Sequence, residues 1–260
     1  MSKPKKRTQY GASKYAALHL LLCRWLRLHA AQGRYRYVTL GGTELRDVLS
    51  LRFIDNQIVS SARSYEENAK RYPIAMATRD KLAEFIQVDV QRGDFFDYER
   101  VDELPHIFFL DLEGICARAN FHVRFAEMFQ NETIREGDFL LITSHLGHIG
   151  GPWPKVFRSY NGEYTLLGAE DEKTKKSLYR RAHPSFTLFH ALEYGDLAAE
   201  LLIRCIGCVE YTDTSPMGLY GYVFRSGTTS FHDFINDAEY LHFHIKKGFL
   251  MPPAGAAANG

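Results

Sequence analysis

The segment YVTLGGTELRD (residues 37–47) leads from an apolar strand through two glycines into a helix. Three further segments, SYEEN (64–68), GDFF (93–96) and FFLDLEG (108–114), lie where other predicted strands end. Strands that alternate with helices in this way require a parallel sheet with right-handed crossovers. The sequence therefore predicts an α/β fold.

The spacing of apolar residues predicts the elements one by one. Helices are predicted at 13–31, 44–51, 67–85, 117–130 and 184–204, and strands at 34–40, 57–65, 86–92, 106–111 and 138–144. We expect Pro73 to bend or interrupt its helix, because proline lacks the N–H that a helix interior needs. The run HIFFLD (106–111) is short and apolar, as expected for a central strand that is buried on both faces.

The segment from Cys208 to Gly227 predicts two further strands joined by a turn around Ser215, Pro216 and Gly218. Such a short connection forces the two strands to be antiparallel. The predicted architecture is a doubly wound sheet of seven strands that is mostly parallel and has an antiparallel last strand.

The composition is that of an ordinary globular chain. The 260 residues are 45% hydrophobic and 13% aromatic, and the formal net charge is +1, so there is no global attraction to nucleic acid or to an anionic membrane. Four cysteines are few for this length, and no apolar run reaches the roughly 18 residues that a membrane span needs. We expect a cytoplasmic protein in a reducing setting, with no membrane association.

The chain is expected to contain one main domain with additions. Residues 1–12 form a basic tail that is predicted to be disordered, and residues 13–227 form the α/β domain. Within it, residues 147–182 are rich in Gly, Pro, aromatic and charged residues without a sustained period, which predicts an inserted loop or lid. Residues 228–260 form a C-terminal extension with a disordered end.

Taken together, these segments resemble the nucleotide-binding half of the class I S-adenosylmethionine-dependent methyltransferases. In that family the first strand ends in a glycine-rich loop beside the methionine moiety of the cofactor, next to helix N-terminal amides. Gly41 and Gly42 match this position, and Glu44 follows them at the predicted start of the helix. Thr39 stands where the family has an acid, and the second spaced glycine is absent. The resemblance covers about residues 37–227 and implies S-adenosylmethionine as the cofactor.

The resemblance also assigns contacts to the ribose and the adenine. Glu66, at the end of the second strand, matches the acid that accepts hydrogen bonds from both ribose hydroxyls. The alternative is that Glu66 and Glu67 lie at a helix N-terminus, where the helix dipole favours negative charge. Asp94 matches the carboxylate that receives the adenine amine, and Phe95 matches the residue that packs on the ring. The alternative for Asp94 is an ordinary turn residue.

The segment FLDLEG (109–114) falls where the family places the residues that face the methyl donor. Asp111 and Glu113 are the candidate carboxylates. His145 and His148 are candidate bases, with loop histidines bonded to backbone as the alternative. The segment lacks the prolines and the aromatic residue of enzymes that methylate base amino groups, and the chain has no Pro-Cys pair for covalent cysteine chemistry. Oxygen methylation stays open, and no metal site is predicted.

The inserted loop mixes basic and aromatic residues, a composition that suits contact with a phosphate backbone and stacked bases. With its N-terminal helix and its insertion, the overall plan is similar to the three-Cys-motif partner family.

These observations leave two candidate functions. One is a methyltransferase of unknown acceptor, for which RNA or DNA is a candidate, and the other is a catalytically inactive binding or assembly module with a protein partner. The candidate nucleic-acid contacts are Lys155, Arg158, Lys173, Lys175, Lys176 and Arg180. The alternative is that these residues form a solvated charged face.

Overall fold

A computed structural model of the chain describes residues 12–29, 34–51, 58–112, 120–146, 171–212, 215–234, 242–246 and 249–251. These residues form one mixed sheet with helices packed on both faces. The strands are β1 (Tyr35–Thr39), β2 (Val59–Tyr65), β3 (Val88–Gln91), β4 (His106–Asp111), β5 (Phe139–His145), β6 (Leu201–Thr212), β7 (Pro216–Ser226), β8 (His242–Lys246) and β9 (Phe249–Met251). The helices are α1 (Ala12–His29), α2 (Arg46–Leu51), α3 (Tyr72–Leu82), α4 (Phe121–Gln130) and α5 (Glu172–Tyr194), with a 3-10 turn at Phe95–Asp97.

The strand order across the sheet is β3-β2-β1-β4-β5-β7-β6-β8-β9. Strands β1 to β5 run parallel to one another, whereas β7 is antiparallel to both of its neighbours, β5 and β6. The first seven strands therefore have the order and directions of the class I methyltransferase fold, and the predicted sheet with its antiparallel last strand is confirmed. Strand β8 pairs with β6, and β9 pairs with β8, so the C-terminal extension adds two strands to the sheet edge.

The central strands β4 and β5 supply side chains to two cores, one on each face of the sheet. Successive side chains of a strand point to opposite faces. On one face, Phe108 and Leu140 pack into a core with α4 and α5. On the other face, Phe109 and Leu141 pack into a core with α1, α2 and α3. The prediction that HIFFLD is a strand buried on both faces is therefore confirmed.

Helix α3 begins later than predicted. Its first residue is Tyr72 rather than residue 67, and Pro73 lies in its first turn. An N–H in the first turn has no partner within the helix, so proline is well accommodated there. The expectation that Pro73 bends or interrupts the helix was therefore wrong.

Helix α5 begins earlier and ends earlier than predicted. It starts at Glu172, so residues 172–182 of the predicted inserted loop are helical, while residues 147–170 lie outside the described part of the chain. It ends at Tyr194 rather than at residue 204, because residues 201–204 open strand β6. Short apolar runs such as this one fit helical and strand periods alike.

Candidate functional site

An open cleft of about 670 Å³ lies at the carboxyl ends of β1, β2 and β4. The sheet order reverses at β1, since the chain passes outward to β2 and β3 and then returns to β4 on the other side. Ligands of open α/β sheets bind at such a switch point, outside the carboxyl ends of the strands. The cleft is lined by Lys14, Tyr15, Leu40, Gly41, Gly42, Thr43, Glu44, Arg46, Asp47, Tyr65, Glu66, Glu67, Arg71 and Asp111.

The glycine turn after β1 brings the backbone close to its surroundings. A Cβ on Gly41 would lie 2.7 Å from Ser64 Oγ and 2.8 Å from Leu45 Cδ2, closer than real Cβ atoms come to other atoms. The Gly41 N–H donates to Ser64 Oγ over 3.2 Å. Gly42 has a φ of +55°, which glycine adopts without steric cost. A side chain at position 41 would therefore force Ser64 and Leu45 to shift, and backbone conformation favours glycine at position 42.

A buried carboxylate lies beside the glycine turn. Asp47, in the first turn of α2, is only 4% exposed. It accepts hydrogen bonds from Thr39 Oγ1 at 2.6 Å and from Tyr37 Oη at 3.1 Å. Burial raises the pKa of the Asp47 carboxyl, although the Thr39 hydrogen bond and the charge of Lys14 oppose that rise. Sequence reasoning missed Asp47, because acids are common in the first turn of any helix.

Glu66 follows β2 directly and lines the same cleft as the glycine turn. The residue is 9% exposed, and its Oε1 accepts a hydrogen bond from the Asn68 N–H at 3.0 Å. Helix α3 begins only at Tyr72, so Glu66 does not lie at the N-terminus of that helix. A helix dipole therefore does not explain the acid at position 66. The contact of Glu66 with the ribose stays a prediction.

Asp111, at the end of β4, is held by two neighbours. Its Oδ2 forms an ion pair with Lys14 Nζ, and its Oδ1 accepts a hydrogen bond from Thr143 Oγ1 at 2.7 Å. Lys14 also lies over the Phe109 ring, 5.6 Å from the ring centroid. Lys14 and Tyr15 reach the cleft from the start of α1. Sequence reasoning missed both, because a contact between residues 97 positions apart leaves no local pattern.

Asp94 and Phe95 are not among the residues that line the cleft. Asp94 caps the 3-10 turn by accepting a hydrogen bond from the Phe96 N–H at 3.0 Å, and its other carboxylate oxygen lies 3.4 Å from Arg124 Nη2. The Phe95 ring is fully buried and packs against Phe108, with 6.1 Å between ring centroids. This burial argues against the stacking predicted for Phe95, while the adenine contact of Asp94 stays a prediction.

The candidate catalytic residues are brought together only in part. Asp111 lies in the cleft, whereas His145, at the end of β5, pairs with Met217 of β7 and is not among the lining residues. Glu113 and His148 lie outside the described residues. The catalytic roles of these residues stay predictions.

The predicted nucleic-acid contacts lie on α5 or before it. Lys155 and Arg158 lie outside the described residues. Lys173 is exposed in the first turn of α5. Lys175, Lys176 and Arg180 lie on the same helix. Contact with RNA or DNA stays a prediction for all six residues.

Carboxylates outnumber basic groups in the cleft. Two of its acids are paired, Asp111 with Lys14 and Glu44 with Arg46, the latter over 2.5 Å. The other three form no ion pair with any residue that the structure describes, which favours a ligand that carries positive charge. These three are Asp47, Glu66 and Glu67.

Two kinds of feature are absent from the described ranges. No helix there is long and apolar enough to cross a membrane. No group of three or more His, Cys, Asp or Glu side chains there is arranged to hold a metal ion.

No protein-family model and no curated protein matches the sequence. Solved structures similar to this chain include the 23S rRNA methyltransferase ErmE, with 13% identity over 84% of this chain and 70% of that chain and a TM-score of 0.43. Another is an S-adenosylmethionine-dependent methyltransferase from Clostridium acetobutylicum (8% identity, 80% and 91% covered, TM-score 0.46). A third is the O-methyltransferase from Bacillus cereus in complex with SAH (14% identity, 84% of each chain covered, TM-score 0.45). At these identities and TM-scores, the fold assignment rests on the strand order of this chain.

Proposed function

We propose that the protein is an S-adenosylmethionine-dependent methyltransferase that binds this cofactor in the cleft at the ends of β2, β1 and β4. The observation that carries the proposal is that Glu66 and the glycine turn line one cleft at the switch point of a sheet with class I methyltransferase order. The cleft volume of about 670 Å³ lies within the range of roughly 300–1,000 Å³ that is usual for small-molecule sites.

Glu66 is the residue that we assign to the ribose. The hydrogen bond from the Asn68 N–H to Oε1 fixes the orientation of its carboxylate. A carboxylate has about four acceptor sites, so acceptors are left for both hydroxyls of a ribose diol. Gly41 has no room for a side chain on its own Cα, and the bare backbone of a glycine turn lets a ligand approach closely.

The bound cofactor would supply an electrophilic methyl group to a nucleophilic acceptor. Asp111 is the residue that we assign to the acceptor side, since it lies at the end of β4 in the same cleft. Lys14 and Thr143 hold its two oxygens in place, and a fixed carboxylate orients an acceptor through hydrogen bonds. RNA or DNA is one candidate acceptor. This candidate is supported only by the basic residues at the start of α5.

Calorimetric titration with S-adenosylmethionine and S-adenosylhomocysteine tests the proposal. We expect both to bind, and we expect Glu66→Ala to weaken both by roughly ten- to a hundredfold, because hydrogen bonds to a charged group are lost. Glu84→Ala is the matched control, since Glu84 is exposed near the end of α3 and does not line the cleft. Failure of the unsubstituted protein to bind either ligand at millimolar concentration would overturn the proposal.

A transfer assay then separates an enzyme from a binding module of the same fold. Protein that binds the cofactor is incubated with methyl-labelled S-adenosylmethionine and with RNA, DNA, protein and small-molecule fractions of a cell lysate. Label in one fraction that is lost with Glu66→Ala supports methyl transfer. Tight cofactor binding with no label in any fraction would favour the catalytically inactive module.

A further inference from the structure

Asp47 is a buried carboxylate in the lining of the cleft, apart from the residues assigned to the ribose and to the acceptor. It is 4% exposed and lines the cleft from the first turn of α2. Thr39 Oγ1 and Tyr37 Oη both donate to the same oxygen, Oδ2, at 2.6 Å and 3.1 Å. The Val48 N–H also donates to this carboxylate. Three donors leave acceptor capacity on a group that has about four acceptor sites.

The second oxygen of Asp47 lies on the side of the glycine turn. A Cβ on Gly41 would lie 3.4 Å from Asp47 Oδ1, in contact with it. The same spot lies 2.7 Å from Ser64 Oγ and 2.8 Å from Leu45 Cδ2, so Gly41 and its neighbours already fill that space. A ligand reaches Asp47 from the cleft, which this residue lines together with Gly42 and Tyr15.

No cation of the described residues lies within ion-pair distance of Asp47. Lys14, whose charge acts on Asp47, forms its ion pair with Asp111, and Arg46 pairs with Glu44. A buried charge without a partner is costly, and burial accordingly raises the pKa of the Asp47 carboxyl. A positively charged group brought by a ligand would offset that cost.

The position of Asp47 relative to the sheet indicates which part of the ligand it meets. Thr39 ends β1 with a hydroxyl, and Asp47 brings a carboxylate to the same place from α2. Strand β1 lies between β2, which leads to Glu66, and β4, which ends at Asp111. Neighbouring strands are about 4.8 Å apart, so Asp47 lies between the proposed ribose site and the proposed acceptor site.

We propose that Asp47 binds the ammonium group on the amino-acid moiety of the cofactor. This assignment rests on the proposed function. An ammonium group donates hydrogen bonds, which a carboxylate oxygen accepts, whereas the sulfonium centre has no proton to donate. Thr39 and Tyr37 hold Oδ2, so Oδ1 is the oxygen that we assign to the ammonium group.

A series of three ligands on the Asp47→Asn variant tests the assignment. S-adenosylmethionine has both an ammonium and a sulfonium, S-adenosylhomocysteine has the ammonium alone, and 5′-methylthioadenosine has neither. We expect Asp47→Asn to weaken the first two by the same factor, roughly ten- to a hundredfold, and to leave the third unchanged. Asp80→Asn is the charge-matched control, since Asp80 is exposed on α3 and lies outside the cleft.

Each other outcome overturns the assignment in a distinct way. Loss for S-adenosylmethionine alone would assign the sulfonium to Asp47, and equal loss for all three ligands would make its role structural. Unchanged binding of the first two ligands would refute the assignment and leave the proposed function standing. If the unsubstituted protein binds none of the ligands, the proposed function fails and the assignment fails with it.

A second variant keeps the test decisive if Asp47→Asn does not fold. Thr39→Val retains the charge of Asp47 and removes one hydrogen bond that orients it. We expect a smaller loss of several-fold, again confined to the two ligands with an ammonium group. An equal effect on 5′-methylthioadenosine, measured by calorimetry on the folded variant, would refute the assignment.

Discussion

Gly41 and Asp47 lie against each other in the lining of the cleft. Any Cβ on Gly41 would contact Asp47 Oδ1 as well as Ser64 and Leu45. The absence of a side chain at Gly41 thus lets Ser64, Leu45 and Asp47 pack closely around the turn.

Gly41→Ala is expected to destabilise the protein by about 1–3 kcal/mol, the usual cost of forcing an extra group into a packed site. Ser64 and Leu45 would have to shift, since the new Cβ would lie within 2.8 Å of both. Gly93→Ala is the control, because its nearest neighbour, Tyr65 Cδ1, lies at an ordinary 3.9 Å. Urea unfolding measures both variants. Equal free energies of unfolding for the two variants would show that the turn tolerates a side chain.

At the scale of an element, helix α1 belongs to both the core and the cleft. Leu18, Leu21 and Trp25 of α1 are buried, and Trp25 stacks on Phe139 of β5 with 4.8 Å between ring centroids. The same helix brings Lys14 to Asp111 at the end of β4. Packing of the helix therefore fixes the position of a charge in the cleft.

A double-mutant cycle with Lys14→Met and Asp111→Asn measures this link. We expect a coupling free energy of about 1–2 kcal/mol between the two residues, because their side chains are only 14% and 29% exposed. The more exposed pair of Arg79 and Asp80, at 32% and 66%, is the control and should couple by less than about 0.5 kcal/mol. Equal coupling of the two pairs in urea unfolding would contradict a structural role for Lys14.

At the scale of the whole molecule, the two ends of the strands differ in what they contain. The cleft lies at the carboxyl ends, whereas a buried polar network lies where β4 and β5 begin. In that network the Arg100 guanidinium contacts both Asp138 and His106, and Tyr98 Oη lies 2.5 Å from His106 Nε2. Burial, followed by the charge of Arg100, lowers the pKa of His106 to about 4.

This lowered pKa predicts a loss of stability in mild acid. The native state keeps His106 neutral, whereas the unfolded chain takes up a proton near pH 6.5. The contribution of His106 to the free energy of unfolding is therefore complete above pH 6.5 and falls as the pH drops from 6.5 to about 4. The expected loss is about 3 kcal/mol. Urea unfolding at several pH values measures it.

His106→Gln isolates this contribution from the titration of other groups. The variant is expected to be less stable at pH 7.5, because contacts with Tyr98 and Arg100 change. Its free energy of unfolding should fall less steeply than that of the unsubstituted protein between pH 6.5 and 4. Parallel pH curves for the two proteins would show that His106 does not cause the loss.

Much of the fold was predictable from local patterns. HIFFLD is apolar at consecutive positions and lies in the centre of the sheet, and the predicted antiparallel pair is present as β6 and β7. Both features depend on a few neighbouring residues, which is why the sequence determines them. The turn was placed too late, since Pro216 and Gly218 already lie in β7. The start of α5 was predicted wrongly because its charged residues show no sustained apolar period. The opening of β6 was predicted wrongly because its short apolar run fits both a helix and a strand.

For the site, the glycine turn and the acid after β2 could be predicted from local sequence, since each follows a strand at a recognisable position. Folding of the whole chain was needed to bring the Asp47 carboxylate to Thr39 and the Lys14 ammonium to Asp111. It also showed that Phe95 belongs to the core. Contacts between distant segments depend on packing of the whole chain, and a buried carboxylate is recognised only when the groups around it are in place.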